Sequence, residues 1–265
     1  MSSDAPIGVF DSGVGGLTVV EEVMQQLPNE RIIYFGDTAR VPYGNKSKRT
    51  IIRYSKQIVN FLLSNNVKAI VIACNTASAF ALEELVSEVS IPIIGVVKPG
   101  ARAAAVVSKN KNIGVIGTKG TISSGIYQRF LYKTNPEVNV YTKSCPLFVP
   151  LVEEGWINDP ITLDVANRYL HELLEYNIDT LVLGCTHYPL LRETISMVVG
   201  KEVTLVNPAY ETAKTLKKVL REKDLESKSL SSKHNFFVSD GVEQFNNFAN
   251  GILPNYLKEA KEINI

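Results

Sequence analysis

Short runs rich in Val and Ile recur along this chain, separated by longer stretches of helical period. A strand that is apolar on both faces needs cover on both, so this alternation points to a mostly parallel sheet with helices packed on either side. The chain therefore reads as an α/β protein. The spacing predicts strands at 6–10, 32–35, 69–73, 91–97, 113–116, 139–141, 180–184, 203–206 and 235–238, with helices between them. The stretch 48–65 gathers Ile51, Ile52, Ile58, Val59 and Leu62 on one helical face, and the stretch 162–176 does the same with Leu163, Ala166, Leu170, Leu173 and Leu174. The polar run REKDLESKSLSSKH, 221–234, has no clear period and reads as a mobile surface connection.

A weak internal repeat underlies this pattern. IGVFDSGVGGLT from Ile7 resembles IGVIGTKGTISS from Ile113, and IVIACNTAS from Ile70 resembles LVLGCTHYP from Leu181. The next strands begin at comparable distances, near Ile91 and Val203, and VVKPGA with Pro99 answers LVNPAY with Pro208. These matches stand in register, which favours a duplicated α/β unit over a generic likeness of strands and turns. At 265 residues the chain is long enough for one large domain or two modest ones. If two such units face each other, ligands bind outside the carboxyl ends of the strands, and Cys74 and Cys185 flank one cleft.

Composition narrows the partners. Lys plus Arg total 28 and Asp plus Glu 27, so no basic excess exists to attract a phosphate backbone, and nucleic acid is not an expected partner. No apolar run reaches the ~20 residues that span a bilayer, and the first residues do not resemble a signal peptide, so no membrane partner is expected and the protein reads as cytoplasmic. Cys74, Cys145 and Cys185 make an odd, scattered set, which argues for reduced thiols rather than a disulfide scaffold.

What the thiols do follows from where they stand. A Cys at the carboxyl end of a strand and the start of a helix meets backbone N–H groups and the positive end of the helix dipole, both of which favour thiolate. Cys145, in SCPLFVPLVEEG, fits a small buried core residue instead. A metal site is poorly supported, because Cys185 and His187 offer two ligands and the other half only Cys74. A redox pair would favour Cys-x-x-Cys, which is absent. Acid and base chemistry remains. Inverting a carbon that bears hydrogen needs a proton removed from one face and another delivered to the opposite face, which two thiols on opposite sides can do without a cofactor. Ionising an unperturbed Cys near neutral pH costs about 2 kcal/mol, small beside the ~8–23 kcal/mol that enzymes remove from barriers.

The neighbours suit an anionic substrate. Ser12, Asn75, Thr76, Thr118, Thr121 and Thr186 occupy small-residue turns where hydroxyls, an amide and free N–H groups can hold carboxylates, although each also fits an ordinary helix cap. Only Arg40 and Lys119 bring cationic side chains to these motifs. Asp11 and Asp37 follow strands, and Glu153 lies in a turn before Trp156. A carboxylate beside Cys74 disfavours its thiolate, so Asp11 reads as a proton relay or as the partner of a substrate ammonium. His187 can carry protons or supply a compensating charge near Cys185, or be a structural histidine.

The runs GVFDSGVGGLTV from Gly8, YFGDTARVPYG from Tyr34, ACNTAS from Ala73, GVIGTKGTISSG from Gly114, CPLFVPLVEEG from Cys145 and GCTHYPLL from Gly184 resemble the glutamate racemases of the aspartate/glutamate racemase superfamily. The resemblance extends to about Pro208 and is weak after Arg221. It implies cofactor-independent interconversion of L- and D-glutamate, the D form feeding peptidoglycan synthesis. It implies two similar, doubly wound α/β domains related by a pseudo-twofold axis, 1–98 completed by 208–265, and 99–207, with the site between them. Cys74 and Cys185 correspond to the two catalytic cysteines, Asp11 to the group assisting the first, and Glu153 and His187 to those assisting the second. Asp11, Ser12, Asp37, Pro42, Tyr43, Gly44, Asn75, Thr76, Thr118, Thr121, Thr186 and His187 correspond to substrate-binding positions. No metal is implied, and a homodimer is. Racemisation of aspartate or a related compound by the same scheme, and a binding or regulatory module that kept the cleft without the chemistry, are the competing readings.

Overall fold

The computed structural model describes residues 2–228, 233–254 and 259–265. In chain order the strands are β1 (Ile7–Asp11), β2 (Ile32–Gly36), β3 (Ala69–Ile72), β4 (Ile93–Gly95), β5 (Asn112–Gly117), β6 (Asn139–Ser144), β7 (Thr180–Gly184), β8 (Thr204–Val206), β9 (Asn235–Val238) and β10 (Lys261–Glu262). They form a six-stranded sheet, β10-β9-β2-β1-β3-β4, and a four-stranded sheet, β6-β5-β7-β8. Every pairing among the described residues is parallel.

The order β2-β1-β3-β4 in the larger sheet is repeated as β6-β5-β7-β8 in the smaller one. The matched sequence runs fall on the matching strands: those from Ile7 and Ile113 on β1 and β5, those carrying Cys74 and Cys185 on β3 and β7. Register agrees as well. Asp11 pairs with Gly36 and Gly117 with Ser144, and the next N–H in each case, on Asp37 or Cys145, donates to the carbonyl of Asp11 (3.1 Å) or Gly117 (2.9 Å).

Period-two alternation divides each buried strand between two cores. In the larger sheet Val9 and Val71 face one cluster with Leu17, Val20 and Leu216, while Phe10, Ile70 and Ile72 face another with Ile51, Ile58 and Leu62. In the smaller sheet Ile116, Leu181 and Leu183 face one core, and Ile113, Val115 and Val182 the other. The helix predicted over 48–65 is Lys48–Ser64, started by Ser47, whose hydroxyl accepts from the Thr50 N–H. The one predicted over 162–176 is Pro160–Leu174, with Asp159 as cap and Pro160 at the first helical position.

Three expectations need correction. The run 91–97 is a strand only over Ile93–Gly95, and Val97 opens the helix Val97–Val107. An apolar run alone does not separate a buried strand from a buried helix start, and Pro99 is tolerated because it falls in the first turn. The strand predicted over 139–141 continues to Ser144, paired with β5 as far as Gly117. The stretch 221–234 is not simply a surface connection. Arg221 and Glu222 complete the helix Pro208–Glu222, Leu225 packs against the core, and the Ser227 N–H donates to Glu30 Oε1 (2.8 Å). Fully buried Lys68 pairs with Glu30 and donates to the Leu225 carbonyl (2.7 Å). Residues 229–232 of that stretch lie outside the described residues. No helix of the described residues is long and apolar enough to cross a membrane.

Candidate active site

Four strand ends supply the site. The β1 end carries Asp11 and Ser12. After β3 comes Cys74, the cap residue of the helix Asn75–Glu88, whose sulfur accepts from the Ala77 N–H (3.4 Å). After β5 comes Thr118, which caps the short helix Lys119–Ser123 through the Thr121 N–H (3.3 Å). After β7 comes Cys185. Both Cys74 and Cys185 line one cavity of about 30 Å³, together with Ser12, Val41, Pro42, Tyr43, Gly44, Asn75, Thr76, Thr118, Val149, Thr186 and His187. That volume admits a water or two rather than an amino acid, so entry of a larger ligand requires the walls to part. Larger hollows exist, such as a groove of about 490 Å³ beside Leu82, Val86 and Phe130, but they hold no paired thiols.

The walls come from both sheets and meet closely. A Cβ on Gly44 would stand 2.7 Å from Thr118 Cβ, and one on Gly15 only 2.5 Å from His187 Nδ1, so the glycines of the PYG and GVGG runs are what let the halves touch. Thr18 Oγ1 donates to the Thr186 carbonyl (2.9 Å), and the Tyr127 hydroxyl donates to Asn75 Oδ1 (2.7 Å). Thr76 Oγ1 stands 2.9 Å from Thr118 Oγ1 and 3.0 Å from Thr121 Oγ1, which are themselves 3.1 Å apart, closing a triangle of hydroxyls.

The environments of the two thiols differ. Burial, reinforced by the charge of Asp11, pushes Cys74 up to about 12, against the opposing contacts of the Ala77 N–H and Ser12. The expectation that the helix start would favour its thiolate is thus outweighed, because desolvation penalises the charged sulfur more than one N–H stabilises it. Asp11 is fully buried, and burial raises its own carboxyl, opposed by the charge of His187 and by backbone N–H groups. Its Oδ2 accepts from Gly13 (3.1 Å) and Gly16 (3.0 Å), while Oδ1 has no partner among the described residues. On the other side, Cys185 Sγ lies 3.8 Å from His187 Nδ1, and His187 Nε2 lies 2.9 Å from Glu153 Oε1. Burial acts to lower His187, but the contacts with Cys185 and Glu153 prevail and hold it at about 10, so an imidazolium stands beside Cys185.

Four of the residues expected at the site are not on the cavity wall. Asp11 directly precedes the wall residue Ser12 and is bonded to Gly13 and Gly16, which are not on the wall, whereas Glu153 is joined to the wall through His187 and Thr121 through Thr118 and Thr76. Asp37 is set further back: its carboxylate accepts from Arg40 Nε (2.8 Å), Ser239 Oγ (3.0 Å) and the Tyr43 hydroxyl, so it braces Tyr43 and does not face the cavity. Arg40 is occupied by Asp37, by Gln57 (2.6 Å) and by stacking on Tyr54, and neither it nor Lys119 reaches the wall. Cys145 is packed in the core of the smaller sheet that holds Ile116, Leu181 and Leu183, where burial pushes its thiol up. Val41, Val149, Tyr127 and Thr18 were not expected. Val41, Val149 and Thr18 sit inside the motifs that marked the site, and Tyr127 lies outside them. Among the described residues no group of three or more His, Cys, Asp or Glu side chains could hold a metal ion.

Paired thiols, hydroxyls, an amide and helix starts around one small cavity are suited to acid and base chemistry on an anionic substrate. Residues 7–216 match the sequence model of the Asp/Glu/Hydantoin racemase family. The chain is 50% identical over 260 residues to the glutamate racemase of Geobacter metallireducens, covering 98% of this chain and 96% of that protein. It superposes on a glutamate racemase isoform from Bacillus anthracis with a TM-score of 0.96 at 40% identity, covering 99% of this chain and 98% of the other. The glutamate racemase of Francisella tularensis, solved with D-glutamate, gives 0.92 at 40% identity, with 99% and 98% covered.

Proposed function

The chain belongs to the Asp/Glu/Hydantoin racemase family, and from that membership and the shared cavity of its two thiols we propose that it interconverts L- and D-glutamate by a two-base mechanism without a cofactor. The reading is carried by the position of Cys74 and Cys185 at the ends of matching strands β3 and β7, opening into one cavity. With the α-carbon between the sulfurs, one thiolate takes the α-hydrogen as a proton. The C–H electron pair becomes a carbanion held by the adjacent carboxylate, and the thiol on the opposite face delivers its proton to the same carbon. The sulfurs finish with exchanged protonation states, which also serves the reverse reaction.

Asp11 fits the partner of the substrate ammonium. Its buried Oδ1 has no hydrogen-bond partner among the described residues, and a substrate ammonium brought near it as the walls part would neutralise the charge that opposes the Cys74 thiolate. That neutralisation matters, since ionising a thiol held at about 12 costs ~7 kcal/mol at neutral pH, far above the unperturbed figure. His187, braced by Glu153, supplies positive charge or a proton at Cys185. Asn75, Thr76, Thr118, Thr186 and the backbone of Tyr43 and Gly44 offer donors to the two carboxylates, with the helix starts contributing field in place of Arg or Lys. The same reading divides the chain into 1–98 with 208–265, and 99–207. It assigns the product to peptidoglycan synthesis in the cytoplasm, and the active form to a homodimer.

Incubation in D2O tests the chemistry. Deuterium should enter the α-carbon of glutamate much faster than that of aspartate. Preference for aspartate would transfer the assignment to that substrate, and binding of glutamate with no exchange would leave only the binding-module reading.

A further inference from the structure

Among the cavity-lining donors, the Asn75 amide is special in that its usefulness depends on which way round it faces. The carboxamide carries two donor hydrogens on Nδ2 and an acceptor in Oδ1. With Nδ2 toward the cavity it can hold a carboxylate; with Oδ1 there it would repel one. Asn75 lies at the start of the helix Asn75–Glu88, next to Cys74, and is buried. Nothing else in its own half fixes the amide: among the described residues its only side-chain hydrogen bond is the one Oδ1 accepts from Tyr127.

Tyr127 comes from the other half, on the helix Ile126–Thr134, and is 1% exposed. A buried phenol must place its proton on an acceptor or leave it desolvated. Among the described residues Asn75 Oδ1, at 2.7 Å, is the one acceptor bonded to that hydroxyl. The reversed amide would set the Nδ2 hydrogens on Asn75 against the phenol proton, leaving one buried donor without a partner. The ring is itself seated: a Cβ on Gly184 would lie 3.2 Å from Tyr127 Cε2, so the glycine before Cys185 makes room for it.

We propose that Tyr127 is a positioning residue that holds the Asn75 amide with Nδ2 facing the cavity, ready to donate to a substrate carboxylate. The inference rests on the glutamate reading of the site. Because the hydrogen bond spans the two halves, the amide is oriented only while they are together, so formation of this carboxylate donor is coupled to closure of the cleft.

The test is Tyr127→Phe, which keeps the ring and removes the hydroxyl, measured beside Asn75→Ala and the double variant by racemisation kinetics and by calorimetric titration with D-glutamate. Tyr127→Phe should raise KM and Kd about tenfold with kcat changed less than about twofold, and should add nothing further in the Asn75→Ala background. An unchanged KM and Kd, a loss confined to kcat, or effects that multiply in the double variant would overturn the proposal. Asn75→Asp provides a check independent of Tyr127 folding: it keeps the acceptor for the phenol but turns an oxygen toward the cavity, so it should weaken binding at least about tenfold more than Asn75→Ala, and equal weakening would also overturn it. Wild-type protein that binds D-glutamate but does not racemise it would end the racemase reading while the Kd comparison still decides the role of Tyr127.

Discussion

The two halves around the cavity share strand order, register and a Cys after the third strand of the repeat, yet they place opposite charges beside those sulfurs. Cys74 stands near buried Asp11 and is held protonated, at about 12. Cys185 stands 3.8 Å from His187, an imidazolium braced by Glu153. The equivalent backbone positions diverge in the same sense: Asp11 in β1 corresponds to Gly117 in β5, and Asp37 after β2 to Cys145 after β6. A duplicated backbone thus positions two sulfurs alike, while side chains decide the charge each one feels. On the proposed two-base scheme these unequal surroundings suit a substrate whose amino group is on one side of its α-carbon: its ammonium would offset Asp11, and His187 would serve the side without one.

The sharpest way to break this comparison is to remove either sulfur. Cys74→Ala and Cys185→Ala should each lower racemisation by roughly 10³-fold or more while circular dichroism stays native, and substantial activity in either variant would end the two-sided scheme. Next in size is the charge beside Cys185. His187→Asn should reduce kcat/KM by roughly 10–100-fold. The loss must be equal for the two enantiomers, because they are isoenergetic in water. The same group links stability to pH. Its folded value, about 10, lies above the ordinary 6.5, so its contribution is complete below about pH 6.5 and is lost as pH rises through about 10. Urea midpoints of the wild type should therefore fall more steeply between pH 7 and 10 than those of His187→Asn; parallel curves would contradict the imidazolium. The smallest expected effect concerns Asp11. Asp11→Asn removes the charge that opposes the Cys74 thiolate, so iodoacetamide should alkylate Cys74 several-fold faster at pH 8, followed by peptide mapping. An unchanged rate would show that burial alone controls that thiol.

Much of the scaffold was readable before any coordinates, for reasons that can be assigned to particular residues. Parallel strands buried on both faces leave runs such as Ala69–Ile72 and Thr180–Gly184, and the repeated Cys-Asn-Thr and Cys-Thr-His that follow them marked both thiols. Boundaries were less legible where apolar residues pass straight from strand into helix, as at Val96 and Val97. Sequence motifs also failed to distinguish wall from support. Asp37 and Tyr43 stand in the same FGDTARVPYG run, but only Tyr43 lines the cavity, since the direction of each side chain depends on how the loop closes against Arg40 and Ser239. Tyr127 carried no signal at all. Its partner, Asn75, is 52 positions away, and nothing in the local sequence of either residue specifies the other.

The chain's local chemistry, through apolar period, glycine turns and the repeated cysteine context, determined an α/β protein with two duplicated sheets and two thiols at corresponding strand ends. Only the tertiary structure decided what those thiols experience. Helix starts and turns are encoded by neighbours a few residues apart, whereas desolvation of Cys74, the imidazolium beside Cys185 and the orientation of the Asn75 amide arise from groups brought together across the cleft. Burial and electrostatics sum over everything nearby in space, so they become defined only once the two halves meet.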